Sequence, residues 1–243
     1  MTPSSDTPTR VAFGLGIRDA FGVPAAVTGA GYVGFGALVG SYGGSVWAIV
    51  VSTITIWALP GQLVMIDMWQ IGAPTIAVAL AMMLTNARFL PMSLTLMPIL
   101  RDHSHPRGHY YFAAHFISMT SWAVCTRRCP EMAPAARLPY FVGFSGTCIA
   151  VSAACGAFGY LIAGSIPPGV QLGLVFLPTV YFFVILIGDV QTRLAAIALA
   201  CGGTAGPLFY LLTPQWSVLA AGFTGGTIAF VIQKILAVRA RDA

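Results

Sequence analysis

The chain has 243 residues, of which 57% are hydrophobic and only 8% charged, with a formal net charge of +5. An ordinary soluble domain carries about 25% charged residues, so a mean hydropathy of +0.83 excludes a water-soluble globular core and points to the bilayer as solvent. The basic balance does not indicate nucleic acid as a partner, because the arginines are scattered through short loops and the C-terminus, as the positive-inside bias predicts.

Residues 1–21 read as a cytoplasmic N-terminal tail and interfacial segment. Arg18 and Asp19 interrupt its apolar part, which therefore lacks the core of a cleavable signal, and the mature protein is expected to keep its N-terminus. Residues 22–236 read as one transmembrane domain and 237–243 as a basic cytoplasmic tail. Hydropathy marks segments at 22–41, 45–72, 73–100, 109–126, 139–164, 169–188, 194–212 and 216–236.

Eight full crossings from a cytoplasmic N-terminus would put Arg101 and Arg107 outside, against the charge rule. The 45–72 segment is interrupted by Leu59-Pro60-Gly61-Gln62, a strong helix-breaking signal. The 109–126 segment is short, polar at Ser118, Thr120 and Ser121, and basic at both ends. Treating both as broken or re-entrant returns every basic loop to the cytoplasm. The expected fold is all-α, a polytopic helical membrane protein with about six full spans plus two broken or re-entrant helical segments.

Glycines cluster at Gly29, Gly31, Gly34, Gly36 and Gly40, at Gly202, Gly203 and Gly206, and at Gly222, Gly225 and Gly226, a small-residue spacing that lets helices approach closely in lipid. The run from Gly34 to Gly40 echoes that from Ala157 to Gly164, a faint internal similarity. Cys125, Cys129, Cys148, Cys155 and Cys201 form no CxxC pair and read as small apolar packing residues.

Arg88 is the residue that most needs explanation. It lies near the middle of the apolar stretch 73–100, and burying an arginine at that depth costs about 2.5–3.5 kcal/mol on insertion scales. Pro91 removes the hydrogen bond to the Ala87 carbonyl and is expected to leave that oxygen free. On a continuous helix Thr85 and Met92 share the face of Arg88, while Asn86 lies about 200° away. A guanidinium fork beside a free carbonyl suits an amino-acid zwitterion. A second reading is that Arg88 ties helices together through a buried carboxylate such as Asp67.

Pro60, Gly61 and Gln62 supply the second candidate, a half-helix start whose N–H groups attract an anionic substrate group, with Gln62 adding an amide. The alternative there is a simple kink. The histidines His103, His105 and His109 read as a solvated loop: Pro106 and Gly108 break the segment, so His105 and His109 make no helical HxxxH pair, no HExxH occurs, and neither metal nor cofactor is expected. His115 and Asp67 are candidates for ion coupling, and Asp189 reads as part of a cytoplasmic turn.

A family resemblance rests on these same residues. The chain combines a Gly/Pro-rich run from Phe13 to Pro24, then Gly34-Phe35-Gly36, Gly61-Gln62-Leu63, Gly72-Ala73-Pro74 and the stretch Asn86-Ala87-Arg88-Phe89-Leu90-Pro91 continuing to Pro98. This resembles the AzlC family, the large subunit of branched-chain amino-acid exporters, with Gln62, Asn86 and Arg88 on the family pattern. Departures are Trp57-Ala58-Leu59-Pro60 in place of a Phe-Ala-Gly-Ala type run, Phe89 where a His is common, and Ser118-Met119-Thr120-Ser121 where the family has an acidic pair.

The resemblance implies ion-gradient-driven export of branched-chain or related neutral amino acids across a bacterial inner membrane, with a small AzlD-type membrane subunit as partner. The alternative class is a passive channel or an intramembrane enzyme. For the latter the sequence offers no Ser-His or HExxH constellation at membrane depth.

Overall fold

In the computed structural model the described residues are 9–102, 105–188, 193–212, 223–232 and 234. The chain separates into two compact units, 1–182 and 183–243, each described by itself. The first holds α1 (Thr9–Ala20), α2 (Val23–Ser41), α3 (Val46–Ile56), α4 (Leu59–Gln70), α5 (Thr75–Asn86), α6 (Phe89–Leu100), α7 (Arg107–Ala114), α8 (Met119–Arg128), α9 (Pro134–Leu161) and most of α10 (Pro168–Gly188). The second holds the end of α10, α11 (Arg193–Leu212) and the helix Phe223–Ile232, where Gly225 lies against the backbone of Gly202. There is no strand among the described residues. The expected turn at Asp189, the Thr213-Pro214 turn, the start of the last segment at Trp216 and the basic tail lie outside them, as do His103 and Ser104.

Among the described residues α2 and α9 are long and apolar enough to cross a bilayer, and α5 with α6 makes a third crossing if the bent pair counts as one span. A total of about six full spans is thus not established by helix length. α9, with 28 residues, is about 42 Å long and serves as the axis of the first unit. Its N-terminal end starts five residues before the apolar segment read from hydropathy, with Pro134 in the first turn and Pro139 still near the helix start, where a missing N–H costs least.

Successive residues of α1 and α2 lie along α9 in the same direction. A Cβ on Gly16 would overlap the Tyr140 carbonyl, one on Gly36 the Gly156 carbonyl, and one on Gly159 the Val33 carbonyl, while Gly40 faces Ala163. The two runs that echo each other in sequence therefore lie against each other. The opposite face of α2 meets α10, where Gly34 lies on the Gln171 and Val175 backbone and Gly31 on Pro178. Buried Gln171 ties the ends together, its Nε2 donating to Ile166 O at 2.9 Å, to Ala163 O at 3.3 Å and to Ser41 Oγ at 3.3 Å. At the other end of α9, Tyr140 OH donates to Asp19 Oδ2 at 2.8 Å, and Arg128 Nε stands 3.7 Å from the same oxygen. Cys125, Cys129 and Cys148 are buried apolar packing, and all five thiols are free.

Two segments reverse inside this frame. α3 ends at Ile56 and α4 begins at Leu59, so the break falls at Trp57-Ala58, and Pro60 occupies the first turn of the new helix. Gln62 on α4 bonds Ser52 and Thr53 on α3, and Gln70 Nε2 donates to Tyr42 O at 3.1 Å. Both ends of α3–α4 therefore lie at the end of the unit where Gly40 meets Ala163, and the pair is a hairpin.

α7 and α8 reverse the other way. Tyr110 OH pairs with the Asp102 backbone at the foot of α6, Trp122 Nε1 donates to Thr95 Oγ1 at 2.8 Å, and Arg137 Nη1 donates to Ile99 O at 3.0 Å. The break falls at 115–118, where Ser118 and Ser121 form a capping box for α8. Between the hairpins, α5 and α6 run from one end to the other with a bend of 49°. Hydropathy reads 73–100 as one continuous segment, and this break is a correction: Pro91, in the first turn of α6, cannot donate to Ala87, and the chain turns at Ala87-Arg88.

A Val at Gly36 is expected to destabilise the fold by about 1–3 kcal/mol through overpacking against Gly156. Thermal unfolding in detergent should show a lower midpoint for Gly36→Val and none for Gly14→Ala, whose Cβ meets nothing within 4 Å. The hairpin also sets an accessibility pattern. Cysteines at exposed Tyr42 and Trp69 should react with impermeant thiol reagent from the same face of the membrane, and one at Arg107 from the other, whereas a full crossing by 45–72 would separate Tyr42 from Trp69.

Candidate functional site

Three chain breaks converge at mid-height: Trp57-Ala58 between α3 and α4, Ala87-Arg88 between α5 and α6, and 115–118 between α7 and α8. The tips of the two hairpins touch, Trp57 Nε1 donating to Phe116 O at 3.3 Å and His115 Nε2 lying 2.7 Å from Ile54 O. Trp57 is the sole non-glycine residue at positive φ among the described residues (φ 49°, ψ 37°), a conformation costly for a bulky side chain that recurs at functional sites. Its ring stacks on Tyr32 with centroids 6.2 Å apart.

The α4 hairpin arm is fixed by Gln62, which is fully buried. Its Oε1 accepts from Tyr32 OH at 2.8 Å, and its Nε2 donates to Ser52 Oγ at 2.8 Å and Thr53 Oγ1 at 3.2 Å. Both amide hydrogens are thus spent inside the protein. The first backbone bond of α4 is Gln62 N to Ala58 O at 2.9 Å, which leaves the N–H groups of Leu59 and Gly61 ahead of it, with no side-chain cap. Pro60 is exposed at this start.

Gly61 faces the bend in α5–α6. A Cβ there would come within 2.9 Å of both Oδ1 and Nδ2 of Asn86. Asn86 Oδ1 and Arg88 Nε are buried and have no hydrogen-bond partner. Buried polar atoms of this kind are a few per hundred residues in native proteins and call for an explanation. The Arg88 guanidinium carbon sits 5.5 Å from the Phe89 ring centroid, and among the described residues Arg88 makes no ion pair. The tie between Arg88 and Asp67 is therefore not formed, and Asp67 is exposed on the outer part of α4.

Two expectations about this region change. The Ala87 carbonyl is not free, because Leu90 N donates to it at 3.1 Å in a tightened turn. The helical-wheel placement of Thr85, Asn86 and Arg88 also fails, since the bend lies between Asn86 and Phe89. The Thr85 hydroxyl donates back to Ala81 O at 2.8 Å. His115, at the α7–α8 break, is exposed. Of the predicted site residues, Gly61 and Asn86 are brought into contact, Arg88 follows two residues on, and Gln62 is turned inward to Tyr32, Ser52 and Thr53.

Sequence reasoning missed Tyr32, Ser52, Thr53 and Trp57. The available signal was a pair of hydroxyls one hairpin arm from an amide, Ser52-Thr53 and Gln62 flanking the break. No group of three or more metal-ligating side chains occurs among the described residues.

If Gln62 serves as the hairpin fastener, Gln62→Ala strands the Tyr32 hydroxyl in the interior at a cost of about 1–3 kcal/mol. A lowered unfolding midpoint in detergent is expected. An unchanged midpoint with weakened substrate affinity would instead make Gln62 a substrate contact.

Comparison with known proteins places the architecture in a family. No curated protein and no solved structure matches the chain. The family model described as AzlC protein matches residues 25–166, which include most of α2, α3 through α9, both hairpins, Gln62, Asn86 and Arg88. The chain covers more than half of its length in that match, and it belongs to the AzlC family, a family of membrane-transporter type.

Proposed function

We propose that this protein exports branched-chain or related neutral amino acids from the bacterial cytoplasm across the inner membrane, driven by an ion gradient and working with a small AzlD-type membrane subunit. The observation that carries the reading is the pair of unpartnered buried atoms, Arg88 Nε and Asn86 Oδ1, at the bend that faces the start of α4. A zwitterion brings one charge for each. Its carboxylate suits the guanidinium and the N–H groups of Leu59 and Gly61, and its ammonium suits the amide oxygen of Asn86. Pro60 and Gly61 keep the backbone approachable, Gln62 holds the arm in place, and Thr85 stands two residues before the bend.

Family membership supports transport rather than catalysis, and the resemblance of Asn86 and Arg88 to the family pattern supports an amino-acid cargo. Asp67 and His115 are the carboxylate and imidazole available for ion coupling. The basic last turn of α8, Arg127 and Arg128, and Arg107 at the start of α7 support an orientation with the α7–α8 hairpin entering from the cytoplasm and the α3–α4 hairpin from outside. In that orientation two re-entrant hairpins accompany about six spans.

Proteoliposomes holding the full chain and its small partner should show saturable, gradient-dependent efflux of labelled leucine, isoleucine or valine. Arg88→Lys keeps the charge but loses the planar fork, so efflux should fall at least about tenfold with normal membrane insertion. Asn86→Ala should raise the half-saturating concentration roughly tenfold, in line with one lost bond to a charged group. Flux that rises linearly with substrate would favour a channel. Loss of insertion together with flux in Arg88→Lys would assign Arg88 to structure.

A further inference from the structure

We propose that the joined hairpin tips are the gate of the transport path, with Trp57 and His115 as its closing residues. The inference rests on the reading of the chain as a transporter but not on which solute it carries.

The hairpins enter from opposite ends of the unit and meet at their breaks. Each tip sends one side chain to a main-chain carbonyl of the other, Trp57 to Phe116 and His115 to Ile54. A carbonyl can only accept, so the Nε2 of His115 bears the hydrogen in this contact. The acceptors are chain-end carbonyls. Ile54 lies in the last turn of α3, where no following helical N–H reaches it, and Phe116 lies in the break between α7 and α8, where its oxygen otherwise takes a long bond from Ser121 Oγ at 3.4 Å.

Parting the tips would release both carbonyls to water, and so wet the region beside Gly61 and Asn86. Closing them removes that water. The contact is small and reciprocal, whereas the arms behind it are held firmly. Gln62 ties α4 to α3 and, through Tyr32, to α2, and the Tyr32 ring carries the stacked Trp57. Trp57 is held in a left-handed backbone conformation at the tip, which aims its indole away from the arm it ends. Firm arms joined through two exchangeable bonds are suited to move as units.

The test uses the full chain in right-side-out and inverted membrane vesicles, with Asn86→Cys as reporter and the partly exposed Cys155 and Cys201 replaced by serine. The readout is the rate of modification by an impermeant methanethiosulfonate. His115→Ala and Trp57→Phe should each raise that rate about three- to tenfold, the double variant should exceed either, and His115→Gln, which retains an N–H donor, should return it to the parent value. Unchanged rates in both single variants would overturn the gate. So would a rise in His115→Ala that His115→Gln does not reverse, since bulk rather than the bond would then be responsible. His115 is exposed, so its variants should insert normally even if Trp57→Phe does not. The expected labelling pattern, together with no amino-acid flux in the chain that retains Asn86, would refute the cargo assignment and leave the gate standing.

Discussion

A buried amide at Gln62 is the contact on which the arrangement depends. A helix interrupted in an apolar medium leaves peptide groups that must find partners within the protein. The α3–α4 hairpin meets that demand by folding its two arms against each other. Gln62 supplies donors to Ser52 and Thr53 on one arm and an acceptor to Tyr32 on α2, so a single side chain closes the hairpin and docks it. With that docking in place, Trp57 stacks on Tyr32, the start of α4 presents Gly61 to Asn86, and the tip reaches the opposite hairpin.

The frame that receives the hairpin is built from the absence of side chains. Gly16, Gly36 and Gly159 sit where any Cβ would strike a facing carbonyl, so α1 and α2 lie along α9 at backbone distance. In lipid there is little hydrophobic drive between helices, and close van der Waals packing takes its place. At the two ends of this frame, Gln171 gathers the turn after α9 and the Asp19, Tyr140 and Arg128 group joins α1, α8 and α9. The polar atoms without partners, Asn86 Oδ1 and Arg88 Nε, lie at the breaks, and Ser145 Oγ and Ser152 Oγ lie on α9.

A buried arginine is tolerable here because the helix that bears it is not continuous. The bend at Ala87-Arg88 puts Arg88 at the joint of two 12-residue helices, and Pro91 in the next turn makes the joint cheap by having no N–H to lose. The same economy appears at Trp57-Ala58, where Pro60 opens α4. These two breaks thus lie two to four residues before a proline, and among the described non-glycine residues the left-handed conformation falls on Trp57 alone.

Charge-poor composition, the recurring apolar segments and the positions of the arginines were enough to point to a membrane and to mark 45–72 and 109–126 as broken segments, because hydropathy and loop charge are local properties that a bilayer reads directly. The motif residues Gln62, Asn86 and Arg88 were likewise legible, since polar groups in apolar runs stand out one by one. Which way each of them faces was not. Gln62 carries the same amide whether it turns to a solute or to Tyr32, and only the pairing of α3 with α4 decides between them. The bend in 73–100 escaped notice because Ala87-Arg88 carries no breaker of its own, and its direction follows from how α5 packs on α4. The meeting of Trp57 with Phe116, 59 residues away, is a product of two hairpins entering from opposite ends, and local sequence holds no record of a contact that only the tertiary packing creates.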